Sequence, residues 1–284
     1  MTAAMTAAAL AVPARQASAD AYPERAREAI RRMLSFSGPG PHRLEVDNVF
    51  GAIQIVVHED SRVELAATRL TFARGTADVA RAAREVTLDV REDGATLRVY
   101  VDGPFRDCRD GHRWSWPRRD YIVRYDFAIK VPRGVEIAAR TVNDGDIKVS
   151  GVTRGFDVEN VNGAVEMMDI AGGGRARTVN GDVRVVFREN PPVASAFASV
   201  NGDVVVHLKP GLSADFRLKT FNGEIYTDFD VTRLPALAPT SERRDDGKLV
   251  YRTDGAFGVR VGRGGPELSF DAFNGDIRIL QGGR

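Results

Sequence analysis

Apolar residues fall at every second position along most of the chain. Leu44 and Val46, Ile53 and Ile55, Val63 and Leu65, Val86, Leu88 and Val90, and Leu97, Val99 and Val101 alternate with polar neighbours. Period-two alternation predicts strands with one face buried. Residues 121–131 continue the pattern until Pro132-Arg133-Gly134 ends it. Two stretches depart from it. Across residues 22–34 the spacing of Ala26, Ile30, Met33 and Leu34 predicts one short amphipathic helix, broken by Ser37-Gly38-Pro39-Gly40-Pro41. Residues 72–84 are rich in Ala and Arg and have room for a helical turn. The expectation is an all-β fold with a short N-terminal helix.

From Thr141 onward the chain repeats one phrase. Thr141-Val142-Asn143-Asp144-Gly145-Asp146-Ile147 is followed by Asn160-Val161-Asn162-Gly163-Ala164-Val165 and Thr178-Val179-Asn180-Gly181-Asp182-Val183. Ser199-Val200-Asn201-Gly202-Asp203-Val204, Thr220-Phe221-Asn222-Gly223-Glu224-Ile225 and Ala272-Phe273-Asn274-Gly275-Asp276-Ile277 complete the set. Asn48-Val49-Phe50-Gly51 opens a more distant early copy. The asparagines from 143 to 222 recur at intervals of 19, 18, 21 and 21, and the last interval, 52, holds an insertion over residues 230–265. A recurring period near 20 is the mark of a repeat architecture, because one unit of that size is too small to bury a core alone.

Parity is the same in every unit. Ser199, Phe197 and Ser195 precede Asn201 on one face, and Val204, Val206 and Leu208 follow it on the same face. Two structures fit: hairpins with Asn-Gly turns, or a parallel β-solenoid of about 20-residue coils with Asn-Gly at the same corner of each coil. The residue before each Asn is Val142, Val161, Val179, Val200, Phe221 or Phe273. In a solenoid these stack at one corner and the asparagines can form a ladder, which favours that arrangement.

The repeated [Val/Phe]-Asn-Gly-[Asp/Glu/Ala]-[Val/Ile] phrase, the early Asn48-Val49-Phe50-Gly51 copy, the Val131-Pro132-Arg133-Gly134 step and the terminal Phe273-Asn274-Gly275-Asp276-Ile277 together resemble the bacterial "putative adhesin" family of β-strand-repeat domains. The resemblance spans residues 42–280. It implies a parallel β-solenoid-like fold, usually outside the cytoplasm, with no known reaction and no catalytic residues. The chain departs from the family in an aromatic insertion after Val101 and a long interruption after Asp230.

Composition adds compartment and excludes partners. The net charge of +1 supplies no global field toward nucleic acid or an anionic membrane. The opening MTAAMTAAALAVPARQASA ends in Ala17-Ser18-Ala19, the small-x-small form of a signal-peptidase site, which predicts a signal peptide over residues 1–19. No Lys or Arg precedes Arg15, so a longer leader or a plain Ala-rich tail are the alternatives. The apolar run is too short to span a bilayer, and no later run is long enough. The expected organisation is a leader over 1–19, a helix and linker over 20–41 and one β-repeat domain over 42–284, in the periplasm or secreted.

Four features invite a chemical reading. The outward acids Asp146, Asp182, Asp203, Glu224 and Asp276 would form a column in a stack. Arg140, Arg177 and Lys219 lie across the corner from them, which predicts exposed ion pairs rather than a calcium site. Residues 105–121 hold both tryptophans, the only cysteine and five arginines. Within this insertion Arg113, Trp114, Trp116, Arg118, Arg119 and Tyr121 are the candidate binding residues, since Trp stacks on sugar rings and Arg grips carboxylates or phosphates. The opposing reading folds the loop over the core. Cys108 with His112 has no oriented third group, and His42, His58 and His207 match no triad or metal spacing. The corner residues Asn143, Asn162, Gly163, Asn180, Gly181, Asn201, Gly202, Asn222, Gly223, Asn274 and Gly275 read as structural. No cofactor and no metal are expected. The function expected is a non-enzymatic scaffold of the cell envelope that contacts another envelope protein or a glycan. The alternatives are a glycan-active β-helix enzyme and an envelope-stress or signalling accessory.

Overall fold

The structure, a computed structural model, describes residues 22–106, 120–235 and 256–282, together with the backbone of Thr240–Arg243 and Leu249–Arg252. The alternating segments assemble into two large mixed sheets. The first has ten strands in the order Glu24–Leu34, Val63–Ala73, Tyr121–Pro132, Ile53–His58, Ile147–Ser150, Val165–Ile170, Val183–Phe187, Val204–Leu208, Ile277–Gln281, Ile225–Thr227. The second has eleven, in the order Val231–Arg233, Phe257–Val261, Ala214–Asn222, Glu267–Asn274, Ser195–Asn201, Gly174–Asn180, Phe156–Glu159, Glu136–Arg140, Arg43–Asp47, Thr96–Asp102, Thr87–Asp93.

From Glu136 to Thr227 successive strands alternate between the two sheets, and each from Glu136–Arg140 through Val183–Phe187 pairs in parallel with the strand two places on. Val158 lies beside Ala176 in the second sheet, and Val165 beside Val183 in the first. The strands before and after each Asn-Gly therefore lie in different sheets and do not pair with each other, which rules out Asn-Gly hairpins.

Parallel register in steps of one unit turns the inward parity into columns. Ile53, Ile147, Val165, Val183, Val204 and Ile277 stand side by side in the first sheet, each fully buried. Val46, Ala139, Val158, Ala176, Phe197, Phe270 and Leu218 face them from the second. Each large aliphatic or aromatic group so buried contributes roughly 1.5–3 kcal/mol before chain entropy is counted. Phe187, Phe197, Phe270 and Phe216 pack edge-to-face or stacked in sequence, with centroid separations of 5.4 to 6.0 Å.

The last unit is out of sequence order. Glu267–Asn274 inserts between Ser195–Asn201 and Ala214–Asn222, and Ile277–Gln281 between Val204–Leu208 and Ile225–Thr227. The described strands within residues 230–265 that join the second sheet therefore add no further parallel unit to the stack. Of these, Phe257–Val261 pairs antiparallel with the outer edge of Ala214–Asn222, held by a two-pronged contact from Arg260 to Asp215 at 2.7 and 2.8 Å. The chain then returns to fill the gap. At the other end Val63–Ala73 runs antiparallel to Tyr121–Pro132, and Thr87–Asp93 to Thr96–Asp102. Antiparallel strands thus flank the parallel stack at both ends.

Residues 22–34 correct the sequence expectation. Glu24–Leu34 is a strand, not a helix, aligned antiparallel with Val63–Ala73 along its whole length. Only Leu34 is buried and most of the strand is exposed, so no apolar stripe rewards a helix. Helix propensities differ by only tenths of a kcal/mol per residue, less than an open sheet edge offers in ladder hydrogen bonds. The helix among the described residues is Thr76–Glu85, in the Ala/Arg-rich stretch, with Asp78 in its first turn and Arg84 in its last as the helix dipole favours.

Candidate interaction surface at the repeated corner

The Asn-Gly phrase sits where the chain passes from the second sheet to the first. Its asparagines form one continuous side-chain ladder. Asn162 donates to Asn143 at 2.7 Å, Asn180 to Asn162 at 2.7 Å, and Asn201 to Asn180 at 2.8 Å. Asn274 then donates to Asn201, and Asn222 to Asn274, both at 2.8 Å. The spatial order 143, 162, 180, 201, 274, 222 matches the strand order of the sheets. Every internal asparagine both gives and receives, and such chains of amides reinforce one another.

Proximity alone requires glycine at Gly145, Gly163, Gly223 and Gly275, and a positive φ adds to it at Gly181 and Gly202. A Cβ on Gly163 would stand 2.3 Å from the Gly145 carbonyl oxygen, one on Gly202 2.1 Å from that of Gly181, and one on Gly223 2.0 Å from that of Gly275. Stacked corners leave no room for a side chain. Several of these carbonyls are satisfied from inside the stack. Thr178 donates to Gly163 at 2.7 Å, Ser199 to Gly181 at 2.8 Å, Thr141 to Gly51 at 2.9 Å, and Asn160 to Gly145 at 2.9 Å. Thr141, Asn160, Thr178 and Ser199 are buried polar residues, each placed two before an asparagine, and each hydrogen bond removes a desolvation cost of about 1–3 kcal/mol.

The acids after the glycines form a third ladder. Asp146 accepts the Ala164 N–H at 2.8 Å, Asp182 that of Asp203 at 2.9 Å, Asp203 that of Asp276 at 2.9 Å, and Asp276 that of Glu224 at 3.0 Å. Arg278 bridges Asp203 at 2.9 Å and Asp276 at 2.7 Å. The expected partners across the corner are otherwise engaged. Arg140 and Arg177 both bind Glu159, at 2.6 and 3.0 Å, and Lys219 reaches Asp271 at 3.6 Å. Neighbouring strands offer those bases a carboxylate on their own face, whereas the corner acids turn toward backbone N–H groups. Among the described residues no group of three or more His, Cys, Asp and Glu side chains is arranged to hold a metal ion.

The residues before the asparagines make an apolar outer column. Val179 and Val200 are exposed, as are Phe273 and Phe221, whose rings stack at 5.0 Å and 5°. Phe221, 72% exposed, stands at the end of the column. No sequence period distinguishes such a stripe from a core stripe. Its exposure does.

The aromatic insertion joins Thr96–Asp102 of the second sheet to Tyr121–Pro132 of the first, the same passage between sheets that Asn-Gly makes in the later units. Its first residues are tightly fixed. Arg106 lies 4.3 Å above the Tyr100 ring, pairs with Asp47 at 2.9 Å and donates to the Val101 carbonyl at 3.1 Å. At the far side Asp120 binds Arg74 at 3.3 Å and Arg81 at 3.2 Å. Tyr121, grouped with the loop in the sequence, is a core residue whose hydroxyl donates to Glu85. Arg113, Trp114, Trp116, Arg118 and Arg119, with Cys108 and His112, lie outside the described residues, as do residues 1–19, where the sequence predicts a leader. The remaining histidines serve local structure: His42 stacks on Phe36 at 4.3 Å, His58 meets the Arg62 carbonyl at 2.8 Å, and His207 meets the Gly282 carbonyl at 2.8 Å.

No family model matches the chain, and no curated protein matches it. Among solved structures, a putative cell adhesion protein from Clostridium sporogenes is similar over 90% of this chain and 100% of its own, at 10% identity and a TM-score of 0.40. A putative adhesin from Bacteroides fragilis is similar over 89% and 97%, at 11% identity and a TM-score of 0.40. A putative lipid binding protein from Parabacteroides distasonis is similar over 90% and 97%, at 10% identity and a TM-score of 0.25. No helix among the described residues is long and apolar enough to cross a membrane.

Proposed function

We propose that the chain is a non-enzymatic scaffold of the bacterial cell envelope, a two-faced β-solenoid that holds one irregular insertion at the corner of its first parallel unit and offers it to a glycan or another envelope protein. One observation carries this reading: the polar groups of the repeated corner are spent on one another. The asparagines bond to asparagines, the Thr and Ser hydroxyls to glycine carbonyls, and the aspartates to backbone N–H groups. A residue that must bind substrate or move a proton needs an uncommitted polar atom, and the repeated corner commits its own to stacking. Function then falls to the departures from the repeat, of which residues 107–119 carry both tryptophans and an excess of arginine. The leader-like segment over 1–19 supports placement in the periplasm or outside the cell.

The test uses those tryptophans as reporters. Intrinsic fluorescence of the purified chain is titrated with envelope polysaccharides and cell-wall fragments. A saturable shift that disappears in Trp114→Ala/Trp116→Ala, with far-UV circular dichroism unchanged, supports a glycan-binding insertion. Emission that stays blue-shifted and quencher-resistant with every ligand contradicts it.

A further inference from the structure

The first sheet ends on an edge of unusual character. Glu24–Leu34 is 11 residues long, contains no proline, and among the described residues pairs on one side only. Sheet edges of this length are normally kept short, bulged or covered, because their free N–H and C=O groups recruit another strand. The register with Val63–Ala73 is continuous, Glu24 against Ala73 through Leu34 against Val63, so no bulge turns the edge away.

Charge on this strand is sorted by face. Arg25, Arg27 and Arg31 share the outer face with Ala29 and Met33 and make it purely basic, while Glu24, Glu28, Arg32 and Leu34 point the other way. Glu28 reaches Arg69 at 3.6 Å, and Arg25 lies 5.9 Å from the Phe72 ring centroid. Arg27 and Arg31 are exposed and, among the described residues, have no ion-pair partner. Behind them the outer face of the sheet forms a depression of about 610 Å³ whose lining includes Met33, Val56, Ala66 and Ala128, with Arg31 also lining it. Met33 and Val56 are exposed apolar side chains there.

This pattern discriminates between occupants. A second copy of the strand in the fully overlapped antiparallel register, Glu24 against Leu34, sets Arg27 directly opposite Arg31 twice on one face, and like charges directly opposite are destabilising; a shift of two residues relieves this only by shortening the overlap and leaves Arg27 opposite Met33 and Arg31 opposite Ala29, with no acid for either. A strand with Asp or Glu at alternate positions meets Arg27 and Arg31 with the opposite charge and closes the same backbone ladder. We propose that Glu24–Leu34 is a docking edge for an extended acidic segment of a partner protein, which adds as a further strand to the first sheet and rests an apolar side chain beside Met33 and Val56. The site is distinct from the insertion, and failure at either leaves the other standing.

The probe is a synthetic eleven-residue peptide alternating Glu and Val, added to the full chain and followed by fluorescence anisotropy and hydrogen exchange. Saturable binding with added protection of amides in residues 24–34 is expected. Arg27→Ala/Arg31→Ala should weaken it about tenfold with circular dichroism unchanged, and Arg27→Glu/Arg31→Glu should weaken it further. A peptide of the same sequence with alternate backbone amides N-methylated should not bind. Equal binding of the N-methylated peptide, or of an anionic polysaccharide, would reduce the edge to a charged surface and overturn the strand-addition claim. So would absence of binding by the unmodified peptide.

Discussion

The middle of the molecule and its two ends are built by different rules. In the middle each strand meets a copy of itself one unit away, so a residue's neighbour is its own counterpart: Val183 beside Val165 and Val204, Asn180 beside Asn162 and Asn201. Any side chain that bonds its own kind is amplified into a ladder. At the ends each strand meets an unrelated one, as where Arg69, 12% exposed at its side chain, lies within 3.6 Å of Glu28 and donates to the Ala82 carbonyl of the helix at 2.9 Å. Repetition makes the middle tolerant of composition but intolerant of volume at the corner. The ends depend on pairs that occur once.

The largest effect that would sharpen this contrast is at the glycines. Gly275→Ala places a Cβ 2.1 Å from the Gly202 carbonyl oxygen at a position whose φ is not left-handed, and a loss of roughly 3 kcal/mol or more is expected in urea unfolding. Gly211, at φ +80° with nothing within 4 Å of its Cβ position, should lose only about 1 kcal/mol on the same change. Equal losses would break the claim that stacked backbones, rather than turn conformation, select glycine at the corner.

Next are the ladders. Asn201→Ala removes two side-chain hydrogen bonds and should cost about 1–2 kcal/mol, whereas Asn222→Ala at the end of the ladder removes one and should cost about half as much. Thr178→Val, which leaves the Gly163 carbonyl without its internal donor, should fall in the same range as Asn201→Ala. Thermal or urea midpoints decide among them.

The smallest effect is at the end strand. Asp215 is held below the ordinary carboxylate range by its hydrogen bonds to Arg260, against a smaller upward push from burial. A carboxylate with a lowered folded pKa contributes stability that is complete above the unfolded value, about 3.9, and is lost as pH falls through the folded value. The difference in thermal midpoint between the native chain and Asp215→Asn should therefore be small at neutral pH and close below about pH 4. A gap that widens on acidification would contradict the assignment.

Legibility in the sequence followed the same division. The period-two parity and the repeated phrase placed the buried columns from Ile147 to Val204, because there local pattern and tertiary neighbour carry the same information. The ends were less readable. The spacing of Ala26, Ile30, Met33 and Leu34 fits a helix, and only the vacant edge of Val63–Ala73 makes it a strand. Arg140 and Arg177 share a face with the corner acids in one dimension, yet Glu159 on the adjacent strand is nearer. The interval of 52 residues after Asn222 suggested a pause before the next unit, with nothing to reveal that the final unit turns back and enters the stack one place earlier. An inserted strand leaves no periodic trace, since its register satisfies either neighbour equally.

That strand order can be measured directly. With Cys108 replaced by Ser, two double-cysteine variants are oxidised under the same mild conditions: Ala198→Cys/Asp271→Cys and Ala198→Cys/Lys219→Cys. Ala198 lies beside Asp271, and Asp271 beside Lys219, so the structure predicts rapid intramolecular crosslinking of the first pair and little or none of the second. Crosslinking of the second pair in preference to the first would mean that the units stack in sequence order, and the ladder running through Asn201, Asn274 and Asn222 would be wrong.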